Sequence, residues 1–104
     1  MKFQDTEIKY TKAADKLELL LIEKHIVYVR EKLFDGWKFT FPDLQGEKER
    51  IDSPDVIIHS FSYGGTRGLF ESMGFLLNEG DVTGYMSVDD VLHHIEYEYQ
   101  HKND

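Results

Sequence analysis

"IVYVREKLFDGWKFTFPD", residues 26–43, decides the fold. Read as two strands, it makes the chain a mixed helix-and-sheet domain. Read as a continuation of the helical pattern upstream, it makes the chain mostly helical. Ile26 to Phe34 is rich in β-branched and aromatic residues, which fit a pleated, half-buried surface. Asp35-Gly36 follows as a hairpin signal, because glycine accepts the positive φ that tight turns need. Trp37, Phe39 and Phe41 then alternate with Lys38 and Thr40, so one face of the second strand is aromatic. Pro42 ends it, having no N–H for a ladder. The competing reading extends the upstream helix through residue 33, and the residues leave residues 26–33 open between strand and helix extension.

Upstream, residues 1–10 are mixed, and a helical pattern begins at Thr11. Ala13, Ala14, Leu17, Leu20, Leu21 and Ile22 form its apolar face, and the pattern weakens near Lys24-His25. Downstream, "DLQGEKERIDSP" (43–54) reads as an exposed connection. "DVIIHSFSY" (55–63) reads as a third strand, and the run Val56-Ile57-Ile58 predicts burial on both faces and a central position. "LFESMGF" (69–75) is a candidate fourth strand, and "VTGYM" (82–86) a short extended piece. "SVDDVLHHIEYEYQ" (87–100) is a helix: Ser87 is its N-cap, and Asp90 closes a capping box. Val91, Leu92, Ile95 and Tyr99 fall 3, 4, 7 and 11 positions after Val88, one buried stripe.

The expected architecture is a single α+β domain over residues 1–104. An antiparallel sheet of three or four strands packs against an N-terminal and a C-terminal helix. The stripe from Val88 to Tyr99 should cross a sheet face that includes Trp37 and Phe39.

Composition narrows the function. With no cysteine, the chain offers neither a disulfide nor a thiolate zinc site, which fits a reducing cytoplasm. The longest apolar run, LELLLI at 17–22, is interrupted by Glu18 and falls far short of the roughly 20 residues a membrane helix needs. The start, MKFQDTEIKY, has no signal-peptide core. A soluble, cytoplasmic protein is expected. Twenty Asp and Glu against 12 Lys and Arg give a formal net charge of −8, which repels nucleic acid and anionic membrane and favours a basic partner.

No catalytic motif emerges. "GGTRG" (64–68) lacks the frame and the lysine of a P-loop, and no dinucleotide fingerprint is present. The knot of glycines is therefore expected to turn one strand into the next. Arg67 is its one reader of a carboxylate or phosphate, unless a neighbouring acid such as Glu71 pairs with it. Tyr63, Arg67 and Glu71 are the candidate binding residues, should a pocket lie beside residues 63–71. The five histidines are scattered without metal-ligand spacing, so neither metal nor cofactor is expected. His59, beside Ile58, suits a buried, hydrogen-bonded imidazole. Glu79, Asp81, Asp89, Asp90, Glu96 and Glu98 can form one negative surface that imitates DNA phosphates toward a basic protein.

"SYGGTRGLFESMGF" (62–75) followed by "VTGYMSVDDVLHHI" (82–95) resembles small uncharacterised proteins of phages and prophages of Gram-positive bacteria. Their shared signposts are an S-Y-G-x-x-x-G-L-x-E segment and a G-Y-[LM]-[ST] strand leading into an acidic-capped helix. The likeness covers residues 59–96. It implies a small intracellular accessory factor of a mobile element and nothing catalytic. Small size, acidity, many aromatics and the lack of a catalytic motif point to a protein partner, including a basic or nucleic-acid-binding host protein, and the negative charge argues against direct contact with nucleic acid or membrane. A homodimer through an exposed strand edge is compatible with this reading. The alternative is a small enzyme or ligand-binding domain with its pocket at residues 63–71.

Overall fold

The structure, a computed structural model, describes residues 2–47 and 51–102, with side chains described from Glu7 onward in the first helix. A helix α1 (Lys2–Glu23) is followed by five strands: β1 (Val29–Leu33), β2 (Gly36–Thr40), β3 (Asp55–Ile58), β4 (Phe70–Met73) and β5 (Thr83–Met86). A second helix, α2 (Val88–Gln100), closes the chain. The strands lie side by side in chain order, each antiparallel to its neighbour. The class is α+β, with both predicted helices present. The sheet has five strands rather than three or four, because the "VTGYM" piece pairs with β4 as β5.

The helix does not extend through residues 26–33: residues 26–28 lead out of it and 29–33 form the first strand of the hairpin. α1 stops because His25 takes a left-handed conformation with φ 57°. The Ile26 N–H reaches back to the Leu21 carbonyl at 2.9 Å, and the His25 N–H to the Ile22 carbonyl at 3.1 Å. This is the Schellman arrangement that glycine usually provides. Here a histidine provides it, at the Lys24-His25 position where the helical pattern was expected to weaken. At its other end α1 begins at Lys2, not Thr11, and Tyr10 continues the stripe of Ala14, Leu17 and Leu21, all four fully buried.

Position in the ladder sorts the side chains. Arg30 opposes Phe39, Lys32 opposes Trp37, and Ile58 and Val56 oppose Trp37 and Phe39 from the other side. These residues, with Phe70 and Met86, point toward the helices. α1 covers β2: the Trp37 indole N–H donates to Thr11 Oγ1 at 3.0 Å. The Arg30 guanidinium lies 4.1 Å from the Trp37 ring centroid and pairs with Asp15 and Glu18 at 2.9 and 2.8 Å. α2 lies farther along, over β4, β5 and α1. The C-terminal stripe thus shares one core with Phe39, but α1 is the helix directly above Trp37.

β3 is central, as expected. Val56 and Ile58 are fully buried, whereas Ile57 is only partly covered, on the opposite face between Lys38 and Glu71. Helices cover one side of the sheet only, a usual condition for antiparallel sheets.

The capping box of α2 forms as expected, Ser87 Oγ accepting from the Asp90 N–H at 3.1 Å and Asp90 Oδ2 from the Ser87 N–H at 3.0 Å. Val91, Leu92 and Ile95 are buried, but Tyr99 turns outward and donates to Asp43 at 3.2 Å. Glu98 takes an inner place instead. It is 4% exposed, and its carboxylate accepts the N–H groups of Gly46 and Leu76, clamping two loops to the helix. Among the described residues no helix is long and apolar enough to cross a membrane.

Gly36 does not turn the hairpin; it sits inside β2, opposite Leu33. A Cβ there would lie 1.8 Å from the Ile58 carbonyl oxygen and 2.8 Å from His59 Cα, both backbone atoms. Gly36→Ala is therefore expected to destabilise by about 3 kcal/mol and to lower Tm by more than about 10 °C, read by thermal melting.

His94 packs edge-on against Phe75, ring centroids 5.7 Å apart. Burial holds its pKa below the usual imidazole value, outweighing the opposing hydrogen bond to the Asp90 carbonyl. The unfolded chain then takes up this proton first, so stability falls as pH drops below about 6.5. The urea midpoint should decline across that range in the wild type, and His94→Gln should flatten the decline.

Candidate functional site

The β1–β2 turn, the end of β3, the start of β4 and the end of β5 meet at one end of the sheet. Residues 59–69 cross this end. They leave β3, form a 3₁₀ turn at Gly65–Arg67 between left-handed Gly64 (φ 96°) and Gly68 (φ 72°), and enter β4. The knot turns one strand into the next, as the sequence predicted. Glycine is required at 64, because a Cβ would approach Tyr85 Cα to 2.8 Å.

Two carboxylates fix this connection to its surroundings. Asp35 Oδ1 accepts the Ser60 N–H at 3.0 Å, which ties the hairpin turn to the crossing segment. Desolvation raises the Asp35 pKa, but the hydrogen bonds from Ser60 and its own backbone outweigh that and leave it below the usual carboxylate value. Glu71 Oε1 accepts the Tyr63 N–H at 2.8 Å. His59 is buried as expected, and its Nδ1 accepts the Phe61 N–H at 3.0 Å, which places the ring proton on Nε2. α1 reaches the same end, where Lys9 Nζ donates to the Thr66 carbonyl at 2.9 Å.

This framework displays aromatic rings outward. Phe34 is 70% exposed, Phe61 80%, Tyr63 58% and Tyr85 56%. Phe34 lies against His59 and Phe61, with centroids 5.2 and 6.1 Å away. The Tyr85 N–H donates to the Tyr63 carbonyl at 3.0 Å. The Arg67 guanidinium sits 5.9 Å from the Tyr85 ring centroid, within cation–π range.

Two of the rings ride on strained backbone. Phe34 has φ 53° and Tyr85 has φ 56°, a region that bulky residues seldom adopt. Phe34 occupies the turn position next to Leu33. Tyr85 sits where the β4–β5 register slips between Phe70 and Ser72, at a bulge. Such conformations persist only where the surroundings over-determine them, and they concentrate at functional sites.

Of the three residues predicted as a site, Tyr63 and Arg67 are exposed on this surface and Glu71 is half-buried beneath it. Glu71 binds Tyr63 through the backbone N–H, not the phenol. Of the two readings of Arg67, the exposed arginine holds and the pair with Glu71 does not form; Arg67 leans on Tyr85 and makes no ion pair among the described residues. Sequence reasoning missed Phe34, Phe61 and Tyr85. Phe61 lies beyond the end of β3, where strand alternation no longer sorts the faces, as the burial of His59 shows. Nothing local announces a positive φ at Phe34.

A cleft of about 350 Å³, lined by Leu44, Gly46, Leu76, Tyr97, Glu98 and His101, opens at the opposite end of the sheet. Both Glu98 oxygens there are engaged by Gly46 and Leu76, so this carboxylate holds loops together. Glu98 accordingly drops out of the predicted acidic surface; Glu79, Asp81, Asp89, Asp90 and Glu96 remain exposed.

Comparison with protein-family models, curated proteins and solved structures returns no match.

Replacing Phe34 by glycine removes a left-handed penalty of about 1–2 kcal/mol against an added unfolded-state entropy of about 0.5–1 kcal/mol. Phe34→Gly should therefore melt at or above the wild-type temperature, although it deletes a whole aromatic ring. A clear drop in Tm would mean that the ring supports the fold.

Proposed function

We propose that this chain is a non-enzymatic accessory factor that works by binding other proteins, of the kind implied by its resemblance to phage and prophage proteins. The observation that carries this reading is the aromatic end. Four rings are held outward on a hydrogen-bonded, partly strained frame beside an arginine, the residue types that dominate protein contacts. The alternative, a pocket formed by Tyr63, Arg67 and Glu71, has less support. Glu71 is engaged by the backbone of residue 63, and Arg67 lies against Tyr85.

The partner we favour is a basic, nucleic-acid-binding host protein in the cytoplasm. Asp89 and Glu96 stand seven residues apart, on the same exposed flank of α2. Among the described residues Glu96 forms an ion pair with Lys24 alone, at 3.5 Å and with both side chains about half exposed, so its charge is scarcely neutralised. Exposed acids without close counter-ions speed encounter with a basic surface and select against acidic ones.

The test is capture from a Gram-positive lysate by wild-type protein and by the double variant Asp89→Lys/Glu96→Lys. A reproducible partner should be retained at low salt, released as salt rises, and weakened at least about tenfold by the charge reversal. Failure to retain any reproducible protein, or retention indifferent to both changes, overturns the proposal.

A further inference from the structure

α1 carries two stripes of similar spacing. Tyr10, Ala14, Leu17 and Leu21 face the core and are fully buried. Ile8, Lys12, Asp15, Leu19 and Ile22 follow one another at steps of 4, 3, 4 and 3 on the outer side, and all five are exposed. Such steps make the seam of a coiled coil. We infer that a second copy of this chain packs on this outer stripe, its α1 antiparallel to the first about a two-fold axis.

Charge selects the occupant and its direction. Aligned antiparallel about the midpoint of Ala13 and Ala14, Ile8 faces Leu19 of the second copy and Lys12 faces Asp15, and the two-fold repeats both pairs. A parallel alignment would set Lys12 against Lys12 and Asp15 against Asp15. A polar residue within a seam fixes register and pairing. Arg30 already meets Asp15 Oδ1 at 2.9 Å, but the Asp15 side chain is 62% exposed, which leaves Oδ2 for the lysine. The stripe also turns away from the acids of α2. Its Asp15 meets Arg30 of β1, whereas Lys24, half a turn around the helix from Asp15, meets Glu96 of α2. Residues 7–24 hold four acids and four lysines, so this stretch is formally neutral.

Shape agrees with charge. A cleft of about 350 Å³ lined by Glu7, Ile8, Thr11, Lys12 and Lys32 opens beside the N-terminal half of the stripe. Lys12 and Lys32 make no ion pair among the described residues. Leu19 and Ile22, exposed by 58% and 56%, project from the C-terminal half, with Asp15 and Glu23 exposed near them. Ile8, Thr11 and Lys12 stand at i, i+3 and i+4, part of the four-residue hole that receives a knob when helices pair. In the antiparallel alignment Leu19 is that knob. A groove with free lysines and knobs with acids are thus two halves of one helix, which a two-fold brings together twice.

The seam is short, and its three apolar side chains cover less than the roughly 800 Å² per partner of a standard interface. A reversible dimer with a Kd of about 100 μM is expected, read by sedimentation of the full chain at about 150 mM salt. Leu19→Asp should weaken it at least about tenfold, with Tm nearly unchanged because the residue is exposed. Lys12→Glu and Asp15→Lys should each weaken the dimer. An equimolar mixture of those two variants should associate again, since every charged pair in the seam is then of opposite sign.

A wild-type chain that stays monomeric at about 500 μM overturns the inference. So does a dimer indifferent to Leu19→Asp, or a mixture of the two charge variants that remains monomeric. The dimer stands or falls apart from the proposed function, because Asp89→Lys/Glu96→Lys leaves this stripe untouched.

Discussion

The fold depends on the burial of Phe39 between α1 and the sheet. Its ring is fully buried, and around it gather Tyr28 at 6.0 Å, Val56 from the next strand, and the inner stripe of α1. Removing a buried phenylalanine of this kind costs about 3–5 kcal/mol, a large share of the stability of any domain this size. The polar contacts above β1 and β2 follow from that packing. Once α1 lies over β2, Thr11 can meet the Trp37 indole. Arg30 can then reach Asp15 and Glu18 while stacking on Trp37. The same sheet supports α2, so both helices share a single core.

Much of this was legible in the sequence. The alternation Trp37-Phe39-Phe41 gave the inner face of β2, Val56 and Ile58 gave the centre of the sheet, and Ser87 with Asp90 gave the start of α2. What escaped was set by tertiary context. His25, Phe34 and Tyr85 adopt a left-handed backbone without glycine, so composition could not announce the turns they make. Glycine itself misled: Gly36 looked like a turn residue but is there because the Ile58 carbonyl passes too close for a Cβ. Glu98 looked like a surface acid because periodicity cannot see two loop amides converging on it from Gly46 and Leu76. The four residues of β5 were too few to separate a paired strand from an extended linker.

The candidate surface follows the same division. Tyr63 and Arg67 stood out because they flank a cluster of glycines. The rings beside them come from the hairpin turn and from β5, distant in sequence and joined only by the meander. The site is thus a property of the sheet's end. Its parts are held by Asp35 on Ser60, Glu71 on Tyr63 and Tyr85 on Tyr63, three hydrogen bonds that each cross between separate elements. Those restraints allow the rings to project without collapsing onto one another.

The two margins of the sheet carry a consequence of their own. The outer strand at one side reads Val-Arg-Glu-Lys-Leu, so alignment with its own copy about Glu31 would set carboxylate against carboxylate and Arg30 against Lys32. The other margin is kinked where Tyr85 departs from regular pleating. Neither side is a flat template for adding further chains, a protection that sheet proteins commonly need. A molecule whose lateral growth is blocked in this way does not extend its sheet from copy to copy into fibres.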